Sequence, residues 1–478
     1  MFRSIALAVA VTLSFTSVSA EQLSNDPFPA PLEATKDVIA LDFVEFATIP
    51  DADGGEAPRL MHMLTEPATK RLFVHTMRGM LYSLSYDGKK ITPYLDVNAS
   101  KWKVDVEFTG MPERGMQSFA FHPQFAERGT PGYGKFYTYT DVKTRATPDF
   151  TSPSPRVSHH LVLLEWTAKD ARAEQYDGDA PKELFRVAKP FINHNGGQIG
   201  FNPLAQRGAA DFGLLYVGLA DGGAGGDPMN LAQNLSSAFG KILRIDPLGS
   251  NSKNGQYGIP AGNPFANDGK DDTLGEIFAY GVRNPQRFTW DTKDGRMLVA
   301  DIGQNLVEEI SPVAIGANLG WNKWEGSYKY VDGQVDLDNP RSEAGLVWPL
   351  VEYDHKDPLL QRMAAITGLT VYRGREIKQL TDLMIFGDLT SGEIFYAKSN
   401  GPLNGGPSAI RRILLNEGGK QKTLLQVVND KLASQNKRAA SRADLRFGFG
   451  PQGQIFVMNK HDGVIRLLVP NGVKKPAL

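Results

Sequence analysis

Ile199-Gly200-Phe201-Asn202-Pro203, followed by Leu214-Leu215-Tyr216-Val217, reads as an apolar strand, a proline-marked turn and a second strand of aromatic and β-branched residues. The unit returns along the chain. Upstream it occupies Met61 to Leu84, with Glu66-Pro67 at the turn, and Ser118 to Thr140, with His122-Pro123 at the turn. Downstream it occupies Phe288 to Asp301, Ile366 to Phe395 and Phe447 to Leu468. Regular return of one strand–turn–strand unit predicts an all-β, six-bladed β-propeller of four-stranded antiparallel blades. A pair of β-sandwiches would leave that regularity unexplained. The intervening inserts, Pro148 to Arg156, Gly249 to Asp272, Tyr328 to Ser342 and Ser399 to Pro407, are expected as loops on one face. Leu424 to Ser434 is the best short helical candidate.

The ends and the composition bound the function. Met1-Phe2-Arg3, an apolar run from Ile5 to Phe15 and Ser17-Val18-Ser19-Ala20 read as a cleaved secretory signal, too short to span a bilayer. The expected division is therefore a signal peptide over residues 1–20, a polar leader over 21–36, the propeller over 37–470 and a tail over 471–478. This predicts an exported protein, periplasmic or secreted, with no membrane span. The chain has no cysteine, which excludes disulfides, thiolate metal sites and thiol catalysis. A formal net charge of −1 with interspersed acids and bases argues against a nucleic-acid partner. No Gly-x-Ser-x-Gly elbow, phosphate-binding loop or dinucleotide fingerprint is present.

Chemistry concentrates in two stretches. Asn193-His194-Asn195-Gly196-Gly197 places a histidine on a polar, glycine-flanked turn, and Gly281-Val282-Arg283-Asn284-Pro285 places an arginine at the start of a strand. A proton acceptor and a fixed cation brought together on a rigid scaffold suit a redox or hydrolytic site. Asp221, ending a strand before Gly222-Gly223, either orients His194 or is an ordinary turn aspartate. Arg283 either faces the reaction or bridges two blades. Asp301-Ile302-Gly303-Gln304-Asn305 with Glu308-Glu309 offers hard oxygen ligands of the calcium type, or solvated turns. Among the other histidines, His122 reads as a packed turn residue, His159-His160 as preceding a strand, and His355 as able to reach the same face.

Those stretches, with Gly240-Lys241-Ile242-Leu243-Arg244-Ile245-Asp246-Pro247, Tyr257 to Phe265 and Asn318-Leu319-Gly320-Trp321, resemble the glucose/sorbosone dehydrogenase family. This family comprises soluble pyrroloquinoline quinone (PQQ)-dependent aldose dehydrogenases and includes the Hedgehog-interacting protein type of propeller. The resemblance implies PQQ and calcium near the propeller axis. It implies His194 as general base toward a sugar's anomeric hydroxyl, Asp221 as its support, and Arg283 over the reacting carbonyl. It places Glu113, Asn193, Arg283, Asn284, Gly303 and Gln304 at the cofactor, the backbone carbonyls of Gly303 and Gln304 holding the metal. The implied partners are a small-molecule sugar, oxidised at C1 to the lactone, and an external electron acceptor. Gly387-Asp388-Leu389-Thr390-Ser391-Gly392 lacks the lysine that quinone-binding members carry there, and Arg442 and Arg446 are offset from the family's arginine pair. A non-catalytic carbohydrate- or protein-binding propeller is thus the alternative, and a metal-dependent lactone hydrolase a third.

Overall fold

A computed structural model describes residues 22–109, 113–360, 364–401 and 405–473. The signal peptide expected over residues 1–20 lies outside them, as does most of the tail. Each recurring unit supplies two or three strands of a four-stranded antiparallel sheet. The first meander runs Leu60–Glu66, Arg71–Thr76, Met80–Ser85 and Ile91–Asp96. The second runs Met116–Phe121, Lys135–Val142, His159–Thr167 and Lys182–Lys189. The third runs Ile199–Phe201, Leu215–Leu219, Lys241–Ile245 and Ile277–Tyr280. Pro285–Trp290, Met297–Asp301, Val307–Val313 and Val351–Asp354 form the fourth, and Ile366–Val371, Leu383–Asp388, Ile394–Lys398 and Arg411–Glu417 the fifth.

The last sheet joins the two ends of the chain. Arg446–Phe449, Ile455–Met458 and Val464–Val469 take their fourth strand from Ile39–Thr48, which runs antiparallel to Val464–Val469. The same N-terminal strand pairs in parallel with Arg411–Glu417, and Gly448 of the last sheet pairs with Met63 of the first. The fifth, last and first meanders are thereby continuous in one 13-stranded sheet.

These strands are buried on both faces, which is why Leu215–Leu219 is apolar without alternation and Val464–Val469 is apolar apart from Arg466, which pairs with Asp462. Six core clusters lie between consecutive sheets. Phe73 and Leu81 pack with Phe119 and Phe136, Tyr137 and Leu184 with Leu215 and Ile277, and Tyr216 with Phe288 and Val299. Leu298 and Tyr353 pack with Ile366 and Phe395, and Ile385 and Ile413 with Phe447 and Val457. Phe456 and Ile465 then pack with Leu72 and Val74, back on the first sheet. Burying each such side chain contributes about 1.5–3 kcal/mol.

Two regions depart from the sequence reading. The insert Tyr328 to Ser342 is not a plain loop. Tyr328–Val331 and Gln334–Asp336 form a small antiparallel sheet with Trp324–Glu325 and with Leu23–Ser24 of the leader. The leader itself is packed, with Leu32 buried and its amide 2.7 Å from Asp357 Oδ2. Leu424–Ser434 is the helix expected there, capped by reciprocal bonds between Thr423 and Gln426 and burying Leu424, Val427, Val428 and Leu432.

Candidate active site

The expected catalytic residues converge at the adjoining ends of the third and fourth sheets. Asn193–Gly197 leads into the third sheet, Asp221 follows its second strand, and Arg283 and Asn284 immediately precede the fourth sheet. Gly197 lets the segments leading into the third and fourth sheets touch, because a Cβ there would lie 1.9 Å from the Pro285 carbonyl oxygen. Gly223, at φ +103°, brings its turn against Asn193, whose Oδ1 accepts from Ala224 N at 3.1 Å.

His194 is the centre. Its Nδ1 lies 2.6 Å from Asp221 Oδ1 and its Nε2 2.9 Å from Arg283 Nη2. Since a guanidinium only donates, Nε2 accepts, and Nδ1 carries the proton toward the carboxylate. Burial, then the Arg283 charge, holds the imidazole below its ordinary pKa, so it is neutral at neutral pH. Burial pushes the Asp221 carboxyl up, but His194 and Arg283 more than reverse this and leave it below the usual aspartate range. The second oxygen of Asp221 accepts from Trp321 Nε1 at 3.0 Å, and Gly223 N donates to the first at 3.0 Å.

His194 sits at φ +53°, a left-handed conformation uncommon outside glycine. Two groups hold its peptides. Its amide donates to Glu113 Oε2 at 2.9 Å, and its carbonyl accepts from the buried Lys189 Nζ. Glu113, expected at the cofactor, therefore fixes the His194 backbone. Lys189 was not anticipated, although it lies five residues before the histidine; burial pulls its pKa down to about 8. Beneath it, His159 Nε2 sits 3.0 Å from Asp141 Oδ1 and 2.9 Å from Asn195 Oδ1. His159 and His160 start a strand rather than precede it.

Arg283 is equally constrained. Nη1 donates to Ile302 O at 2.8 Å and Nε to Gln304 Oε1 at 3.1 Å, while its ring neighbour is Trp321, 5.8 Å away. Asp301 accepts from the amides of Arg283 and Asn284 at 2.8 and 2.6 Å, which fixes the backbone just ahead of the strand. Asn284 Oδ1 is buried without a hydrogen-bond partner.

The turn carrying Gly303 and Gln304 is organised by Glu325, which sequence reasoning missed. Its Oε1 accepts from the amides of Gln304, Asn305, Leu306 and Val307 at 2.8–3.1 Å. Because peptide units are planar and trans, the carbonyls of Gly303 and Gln304 then point away from that carboxylate. Among the described residues, no cluster of three or more His, Asp or Glu side chains could hold a metal ion. Glu308 instead accepts from Ile366 N at 2.8 Å and pairs with His355 Nδ1 at 2.6 Å, which engages His355 away from His194.

Comparison with known proteins bears on the family and the fold. The model of the Glucose / Sorbosone dehydrogenase family matches residues 56–426. The HIPL1 protein of Arabidopsis thaliana is 30% identical over 395 residues, covering 74% of this chain and 54% of its own length. The human Hedgehog-interacting protein is 31% identical over 324 residues, covering 67% of this chain and 39% of its own. The chain thus spans about half or less of the length of the curated relatives it matches. A solved structure of the PQQ-bound form of an aldose sugar dehydrogenase from Streptomyces coelicolor superposes with a TM-score of 0.55. It covers 89% of this chain and 96% of its own at 18% identity, a likeness of fold.

Proposed function

The chain belongs to the glucose/sorbosone dehydrogenase family, and from that premise we propose that it is an exported, PQQ- and calcium-dependent dehydrogenase oxidising an aldose or related sugar at C1 to the lactone. The scaffold is a six-bladed propeller over residues 37–470. Its blade count is supported by the circuit of core clusters, each shared by consecutive sheets and the last returning to the first. The observation that carries the reading is the buried Asp221–His194–Arg283 chain, with both ring nitrogens of the histidine in defined roles.

The residues present fit the quinone at its reacting end. Asn284 Oδ1 is a buried polar atom without a partner, and the carbonyls of Gly303 and Gln304 are directed away from Glu325, as backbone ligands of a calcium ion require. When bound, the quinone supplies the hydride acceptor and the calcium polarises its carbonyl. The chain's own work is acid–base and electrostatic. His194 Nε2 takes the proton of the anomeric hydroxyl. Asp221 keeps the Nδ1 proton in place and stabilises the imidazolium that results. Arg283, anchored by Ile302 O and Gln304, holds positive charge where an oxyanion develops. Glu113 and Lys189 keep the histidine's backbone in its left-handed conformation.

A second reading, a binding propeller without turnover, is favoured by one observation. In the fifth sheet, where family members that bind the quinone carry a lysine, the buried Asp388 organises the turn instead, accepting from Ala365 N, Thr390 Oγ1 and Ser391 N. Aldose-dependent dye reduction by protein reconstituted with PQQ and calcium separates the two. Turnover that His194→Ala removes, with quinone affinity retained, supports the dehydrogenase. Turnover surviving His194→Ala would show that another residue is the base.

A further inference from the structure

Two arginines buried along the inner strands make no direct ion pair among the described residues. Arg287, on Pro285–Trp290, is 4% exposed and Arg446, on Arg446–Phe449, 2%. Each uses one nitrogen locally, Arg287 Nη1 donating to Gln286 O at 2.6 Å and Arg446 Nη1 to Leu445 O at 2.8 Å. Arg287 Nη2 and Arg446 Nε are buried without a hydrogen-bond partner. So are His62 Nδ1 and His75 Nε2, on the two inner strands of the first sheet. Phe119 of the second sheet closes the place, its ring 6.2 Å from His62 and 5.4 Å from His75.

These groups sense one another. Burial and then Arg446 lower the Arg287 pKa to about 9, and Arg287 is in turn the first charge, after burial, that depresses His62 and His75. No carboxylate among the described residues forms an ion pair with either arginine. Asp444 is the one acid whose charge raises the Arg446 pKa, and it is shared with Arg442 Nε at 2.7 Å and His461 Nε2 at 3.2 Å. Uncompensated buried charge is costly, and a protein that retains it normally matches it with an opposite charge.

We propose that a small carboxylate anion sits between Arg287 and Arg446, beside His62 and His75, and completes the inner packing of the fold. A carboxylate suits the place because two oxygens on one planar carbon match the donor fork of a guanidinium. The site uses no residue of the His194 group and does not depend on the dehydrogenase reading. The carboxylate has two candidate sources, a free small acid or the quinone itself, whose carboxylates are of the same chemistry.

Calorimetric titration of the full-chain protein with sodium formate at constant ionic strength tests this. The expected result is saturable uptake of one formate per chain, weakened at least about tenfold by Arg287→Met and by Arg446→Gln and unchanged in His194→Ala. Wild-type protein without saturable uptake, or Arg287→Met binding as tightly as wild type, overturns the proposal. The wild-type arm decides even where a variant does not fold. Repeating the titration with PQQ and calcium present identifies the source: displaced formate assigns the quinone's carboxylate, retained uptake a free acid. Formate uptake in a protein that binds no quinone supports the anion site and sinks the dehydrogenase reading alone.

Discussion

Arg283 Nη2 lies 2.9 Å from His194 Nε2, so the nitrogen assigned to proton abstraction faces a guanidinium. The contact does two things. Second to burial, it holds the imidazole below its ordinary pKa, and on the proposed function it is the contact a substrate hydroxyl would displace to reach Nε2. A sugar oxygen there would face a proton acceptor on one side and a charge-stabilising donor on the other.

The pH dependence follows in sign. Burial and Arg283 both lower the His194 pKa, so the active, neutral form persists below the ordinary histidine range. Dye reduction should rise with pH on a limb centred below about 6.5 and be flat through neutrality. Arg283→Gln should move that limb upward and lower kcat by about 10²- to 10³-fold. A kcat/KM profile against pH checks both, and a wild-type limb centred above neutrality contradicts the assignment.

Asp221→Asn retains the shape of the side chain but not its charge. With the Nδ1 proton no longer held and the imidazolium unsupported, kcat should fall by about 10²- to 10⁴-fold with the circular dichroism spectrum unchanged. Trp321→Phe removes one neutral donor from the second carboxylate oxygen and should cost about tenfold or less. Equal losses in the two variants would mean that Asp221 acts through packing.

Glu325→Ala leaves the four amides of the Gln304–Val307 turn, two of them fully buried, without their common acceptor. Stability should drop by about 3–5 kcal/mol in urea unfolding, and calcium should be needed at higher concentration to restore activity. Glu325→Gln, which keeps an acceptor oxygen, should recover most of the loss.

His75 gives a stability prediction. Burial and Arg287 hold it down to about 3, whereas the unfolded chain protonates it near 6.5. Between those values the unfolded state binds the extra proton, so stability is full above the unfolded pKa and falls as pH drops, by up to about 1.4 kcal/mol per unit. Urea midpoints at neutral and mildly acidic pH should show a shallower slope for His75→Gln than for wild type.

What was legible in the sequence was local. The strand pairs announced themselves because each is contiguous and closed by Pro or Gly, as at Phe201-Asn202-Pro203. His194, Asp221 and Arg283 were legible because each sits in a short, punctuated, polar stretch, and the structure brings all three together. Long-range partners were not. Glu113 meets the His194 amide across 81 residues, and Ile39–Thr48 completes a sheet with Val464–Val469 at the other end of the chain. No periodicity encodes such pairings. Glu325 escaped notice because its role is to gather backbone amides, which any sequence carries. The insert holding Tyr328–Val331 reads as a loop because its strands are short and partly exposed, and they are supported by Leu23–Ser24, far away in the chain.

The central claim is tested most directly by titrating purified apoprotein with PQQ and calcium, following absorbance, and assaying aldose-dependent dye reduction in the same samples. The account predicts saturable, calcium-dependent quinone binding with turnover. A folded protein that binds no quinone at any calcium concentration would contradict it and leave the non-catalytic binding propeller as the reading.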